Sequence, residues 1–339
     1  MNDIDFDNLP PSSMPTTVGF SVQGFHDEEV ATRLAYAVAD VVRVVGSFIN
    51  LERLDGVTIA CDYDQALAQL DRGIDGLRPL TRSNTEEMQG VAMSPAVMRS
   101  GEVRTHLVFN AEYVAALASD EATEDDRLLT YGVISHECAH VEITAAKERA
   151  IPDARFGTPI EGFEHAVMFQ IAEICWDEYA ACRMSAMFNR DKNERHAETV
   201  IASVKVAREN SDNAIRSYRT HADVYQLLAE AGPWLHQPIK AAAYLLGGMD
   251  AEEADWSDFP EVKAALEDEH YFELVEKLCA ELRRLWDTRG EWAASLDVFQ
   301  GLEAIAKEVF DEGGLFFSTD TEGNCRIDVP FTPHTMPCN

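Results

Sequence analysis

His136-Glu137-Cys138-Ala139-His140, set in the apolar-periodic stretch from Glu124 to Arg149, decides how this chain is read. On a helix, at about 100° per residue, the two imidazoles lie about 40° apart on one face and one turn removed, so both can reach one metal ion. Glu137 is offset from His136 by about another 100°, which places its carboxylate beside such an ion, where it can touch a water without ligating the metal. Cys138 is turned about 160° to 200° from both histidines, the position of a buried structural thiol and not of a ligand or nucleophile.

A catalytic zinc ion takes three protein ligands and keeps a fourth place open. The next helical stretch, about Glu161 to Asn189 beyond a loop with Pro152, Gly157 and Pro159, offers Glu173, Asp177 and Glu178. Ile171, Ile174, Cys175, Ala181, Cys182 and Ser185 mark its inward stripe, and Glu178 falls in the middle of it. A buried carboxylate without a partner costs several kcal/mol or takes up a proton, and a divalent cation satisfies it directly. Glu178 therefore ranks first as third ligand, and Glu173 or a histidine or aspartate elsewhere remain alternatives. Glu173 and Asp177 also read as a hydrated face or as partners that orient a ligand histidine.

The rest of the chain sets the frame for this motif. In 339 residues, 46% are apolar and 26% charged, which excludes wholesale disorder. With 28 Lys and Arg against 60 Asp and Glu the net charge is −32, so a phosphate backbone or an anionic leaflet is repelled, and neither nucleic acid nor membrane is expected as a partner. No run approaches the ~18 apolar residues of a spanning helix. Seven cysteines without a C-x-x-C pair suit a reducing compartment, and a cytoplasmic location is expected.

Residues 1–17 carry acids and then prolines and serines, and read as a disordered acidic tail. Val18 to Phe25 has a strand pattern, followed by a helix from Asp27-Glu28-Glu29 to about Leu51. Val57 to Cys61 is β-prone, and Gly90 to Ala96 and Val103 to Asn110 form a hairpin around Arg99-Ser100-Gly101-Glu102. From Asn193 to Asp311 the pattern is helical, with breaks at Gly232-Pro233, Gly247-Gly248, Ala251 to Asp258 and Thr288-Arg289-Gly290. A terminal hairpin runs from Leu315 to Val329 around Glu322-Gly323-Asn324.

The block from Val103 to Ala186 resembles the HExxH zinc metallopeptidases whose third ligand is a glutamate on a following helix, the gluzincin branch of the zincins. The strand pair ahead of the first helix and Glu178-Tyr179-Ala180-Ala181-Cys182 on the second are similar to intracellular ImmA/IrrE-type peptidase domains. The resemblance implies Zn2+ on His136, His140 and Glu178, Glu137 as general base, and hydrolysis of an amide bond in a peptide or protein substrate. It further implies a substrate laid as an added strand along Arg104 to Asn110, and an oxyanion donor for which Tyr131, His165 and Tyr179 are candidates. His334 and Cys338 near the end are placed to cap the open metal position only in a self-inhibited form.

The expected fold is α+β and predominantly helical. Residues 18–190 form a zincin-like core of a small sheet with the active-site and third-ligand helices, and residues 191–339 a helical region ending in a β-hairpin. Two competing functions stand beside the peptidase: a catalytically inactive zincin-like module that binds a partner, and a metal-dependent amidase acting on a small molecule.

Overall fold

A computed structural model of the chain describes residues 8–82, 90–188 and 192–336. They fall into two compact units, one drawn from Met1–Thr158 and Ala180–Lys192, the other from Pro159–Tyr179 and Asn193–Asn339. The architecture is α+β and predominantly helical, as the sequence predicts. The boundary differs from the expected one, since residues 159–179 belong with the helical C-terminal part.

The first unit opens with strand β1 (Gly19–Gln23), helix α1 (Glu28–Val45) and strand β2 (Leu54–Ala60). Asp27 caps α1 by accepting from the backbone N–H groups of Glu29 and Val30, and Glu28 and Glu29 place negative charge on its first turn. The helix buries Leu34, Val38, Val42 and Val45 and stops there, short of the predicted Leu51. Ser13 explains the stop: its hydroxyl reaches the carbonyls of Gly46 and Ile49 and accepts from the N–H of Leu51, fixing the chain in turns. Ser13 is thus tied to the fold although the sequence places it in a loose tail, and residues 1–7 of that tail lie outside the described residues.

After β2 come the short helix α2 (Tyr63–Gln69), strands β3 (Ala92–Met93), β4 (Ala96–Arg99) and β5 (Glu102–Asn110), the single turn α3 (Ala111–Val114) and the long helix α4 (Glu124–Ala150). The sheet order is β1-β2-β5-β3, with β4 also on β5. β1, β2 and β5 run parallel, and β3 and β4 antiparallel to β5. Ser100 and Gly101 both have positive φ, 52° and 80°, which fits the right-handed strand twist of a two-residue hairpin. α1 and α4 pack against each other, α4 packs on β5, and α2 packs on β2 and β5.

This order corrects the expectation that Arg104 to Asn110 is the edge a substrate strand adds to. β5 is interior, bonded to β2 on one side and to β3 and β4 on the other. Parallel pairing of β1, β2 and β5 demands helical crossovers, and those place β5 inside the sheet. β3 and β4 form the rim, where Met98 N–H donates to the Arg72 carbonyl and Arg72 Nε donates to the Ala96 carbonyl.

Helix α5 (Phe163–Ser185) follows, extended by a 3-10 turn over Ala186–Phe188. The second unit holds α6 (Lys192–His221), α7 (Val224–Glu252), α8 (Pro260–Asp268), α9 (Phe272–Asp287), α10 (Gln300–Glu312) and the hairpin β6 (Phe316–Thr319) with β7 (Cys325–Asp328). α7 runs unbroken through Gly232-Pro233 and Gly247-Gly248, where the sequence predicts breaks. Its buried face, with Leu227, Leu235, Ile239, Leu245 and Leu246, packs on α9 and α10 and outweighs the lost backbone hydrogen bonds of Pro233 and Pro238. Among the described residues, no helix is long and apolar enough to cross a membrane.

Candidate metal centre

α4 carries the motif. Thr123 and Asp126 form a capping box, Glu124, Asp125 and Asp126 load the first turn, and Lys147 and Arg149 the last, so both dipole ends are matched. Four turns in, His136, Glu137, Cys138 and Ala139 are buried, with His136 6% and Glu137 9% exposed. The His136 and His140 rings meet edge to face, and their Nε2 atoms lie 3.3 Å apart.

Cys182, on α5, lies against His136 from the other side, its Sγ 3.7 Å from Nδ1. Glu178 stands one turn earlier on the same continuous helix, and the i, i+4 relation sets it on the same face. Ligand atoms of His136, His140 and Glu178 all lie within 4.8 Å of one another. A tetrahedral ion about 2.1 Å from each donor sets donors about 3.4 Å apart, so the 3.3 Å between the imidazole nitrogens matches what zinc requires. Two imidazoles and a carboxylate are also the donor chemistry that zinc takes. Among the described residues, this group of possible ligands includes Glu178 and not Glu173.

Glu137 is held from the sheet. Ser94, between β3 and β4, donates its hydroxyl to Glu137 Oε2 at 2.6 Å and also lies 3.0 Å from the Glu137 carbonyl oxygen. Tyr63 is buried nearby. Burial, and next the charge of Glu137, hold its phenol above its ordinary range. Lys240 of α7 places its ammonium 3.8 Å from Glu178 Oε1. The thiol of Cys138 is fully buried and pushed up first by desolvation and then by Glu137, in keeping with a structural role.

The three expected oxyanion donors fare differently. Tyr179 is buried and donates to Asp250 Oδ2 at 2.5 Å, while Arg283 grips the same carboxylate with two nitrogens, so its hydroxyl is committed. His165 faces Glu303 at 3.4 Å and the Glu161 carbonyl. Tyr131 is half-buried on α4. His334 lines a cavity of about 330 Å³ with Arg208, Asp212 and Glu312, and Cys338 lies outside the described residues.

Sequence reading missed Ser94, Tyr63 and Lys240. Pro95 supplied a usable signal for the first, because a residue without an N–H interrupts a strand and re-aims its neighbour. Lys240 is a lone cation in the small and apolar run Ile239 to Gly248, a pattern that demands a buried partner. Tyr63 carries no such local sign.

Comparison with protein-family models, curated proteins and solved structures finds no match to this chain.

Proposed function

We propose that this chain is a zinc-dependent metallopeptidase that hydrolyses peptide bonds, with His136, His140 and Glu178 as metal ligands and Glu137 as general base. The observation that carries the reading is the meeting of three zinc-type donors from two helices with a fourth side chain, Glu137, that is buried beside them and held by Ser94. When bound, zinc supplies Lewis acidity for the scissile carbonyl and brings the pKa of a coordinated water toward about 7.

The protein's own groups do the rest. The Glu137 carboxylate, with Oε2 already accepting from Ser94, takes the one proton of the attacking water and returns it to the leaving amine, and the Ser94 hydroxyl fixes the rotamer in which it can do so. Lys240 balances the charge of Glu178. Cys182 limits the tilt of the His136 ring.

The test is metal content and peptide-library turnover on the purified chain. Wild type is expected to hold one zinc per chain and cleave. Glu137→Gln is expected to keep the metal and lose about 10²- to 10⁴-fold in kcat, the usual worth of a general base, and His140→Ala to lose both. Zinc-loaded wild type that cleaves no peptide, or a Glu137→Gln variant as active as wild type, refutes the proposal.

A further inference from the structure

Among the described residues β1 pairs with β2 alone, so one side of Gly19-Phe20-Ser21-Val22-Gln23 is a sheet edge. Edge strands in soluble proteins are usually blunted by charge, proline or a bulge, and this one has none of them. Beside it opens a groove of about 900 Å³, walled by Val18, Phe20 and Val22 on the sheet side, by α1 on the other, and by Met14, Pro15 and Thr16 ahead of β1.

The α1 residues of the groove have an internal symmetry. Apart from Ala31 they pair off about a point between Ala35 and Tyr36, Glu28 with Arg43, Thr32 with Ala39, and Ala35 with Tyr36. Tyr36 is 70% exposed, an uncommon state for a large ring at the centre of an apolar wall. The helix starts near the Gln23 end of β1 and ends near its Gly19 end, since Asp27 follows Gln23 closely and Ser13, just ahead of β1, bonds the carbonyl of Gly46. Glu28 and Arg43 therefore mark opposite ends of the groove.

We infer that the groove is a dimer interface, occupied by β1 and α1 of a second copy of this chain. An antiparallel β1–β1 pairing about a two-fold axis at Ser21 sets Gly19 opposite the partner's Gln23. The same rotation carries each Glu28 to the partner's Arg43, and brings the two Tyr36 rings over the small residues Ala35 and Ala39, where helices can approach closely. Arg43 already pairs with Asp40 on its own helix at 2.6 Å and stays 55% exposed, so a second carboxylate can join it. The charge balance favours this face as well. Copies with a net charge of −32 repel one another, and the residues lining the groove, with one acid and one base, add no net charge of their own where the copies would meet.

Sedimentation velocity of the full chain from about 1 to about 100 µM tests the inference by mass action. Wild type is expected to pass from one mass of 37.7 kDa to twice that mass. Glu28→Arg and Arg43→Glu are each expected to weaken the dimer by about 10-fold or more, and the double variant to recover most of the loss, because only across the two-fold does each swapped charge meet its swapped partner. Ser21→Cys is expected to form a disulfide-linked dimer on mild oxidation, which only the in-register antiparallel edge permits. Both charged residues are exposed, and an unchanged circular dichroism spectrum confirms that each variant is folded. A wild type that stays monomeric throughout, or a double variant as weak as the singles, overturns the inference.

Discussion

The Ser94 hydroxyl has one proton and two acceptors in reach, Glu137 Oε2 at 2.6 Å and the Glu137 carbonyl at 3.0 Å. Removing it leaves the carboxylate chemically intact but free to rotate, so Ser94→Ala isolates positioning from basicity. Kinetics of the zinc-loaded variant are expected to show kcat down about 10- to 100-fold, with KM and metal content near wild type, the usual scale for a lost orienting partner. A drop in zinc content instead of kcat assigns Ser94 to the fold of α4. At this scale the proposed ligands were legible because they obey local rules: His136 and His140 are one turn apart, and Glu178 sits among apolar neighbours that demand a partner for it. Ser94 was not, because its relation to Glu137 spans 43 residues and no local period connects them.

Helices and strands were legible where one buried stripe dominates, as in α1, and misread where breaker residues serve packing. Gly248 is the clearest case. A Cβ placed there lies 1.8 Å from Oδ1 of Asn193, a buried side chain at the start of α6 that is also held by its donation to Glu252 at 2.8 Å. The glycine is a contact surface for a neighbouring helix and not a stop signal. Gly248→Ala, which raises helix propensity, is accordingly expected to destabilise the protein by about 1–3 kcal/mol, read from urea melts, because overpacking outweighs the propensity gain. The same substitution with a stabilising outcome refutes close packing of α6 on α7. Strand order was the other misreading. Alternation in Arg104 to Asn110 reveals a strand, but which neighbours flank it depends on crossovers that alternation does not encode.

Over the whole molecule, pH sets two effects against each other. A net charge of −32 disfavours the compact state, and lowering the pH toward the carboxylate range relieves it. Two histidines oppose that relief. His106 lies between Thr58 and Asp55, its ring over Gly56, and burial lowers its pKa despite the carboxylate at 3.0 Å. His236 has an Nδ1 sealed from solvent without a hydrogen-bond partner, and burial, aided by Lys240, lowers its pKa to about 4. A histidine with a folded pKa below its unfolded value of about 6.5 binds fewer protons when folded, so stability rises with pH across that interval and falls as the pH drops through it. For His236 the interval is from about 6.5 down to about 4, and the loss is at most about 3 kcal/mol. His236→Gln cannot take up that proton. Its unfolding free energy is expected to fall less than that of wild type between pH 6.5 and about 4.5 in urea melts, and equal slopes for the two proteins show that His236 is not the group that charges.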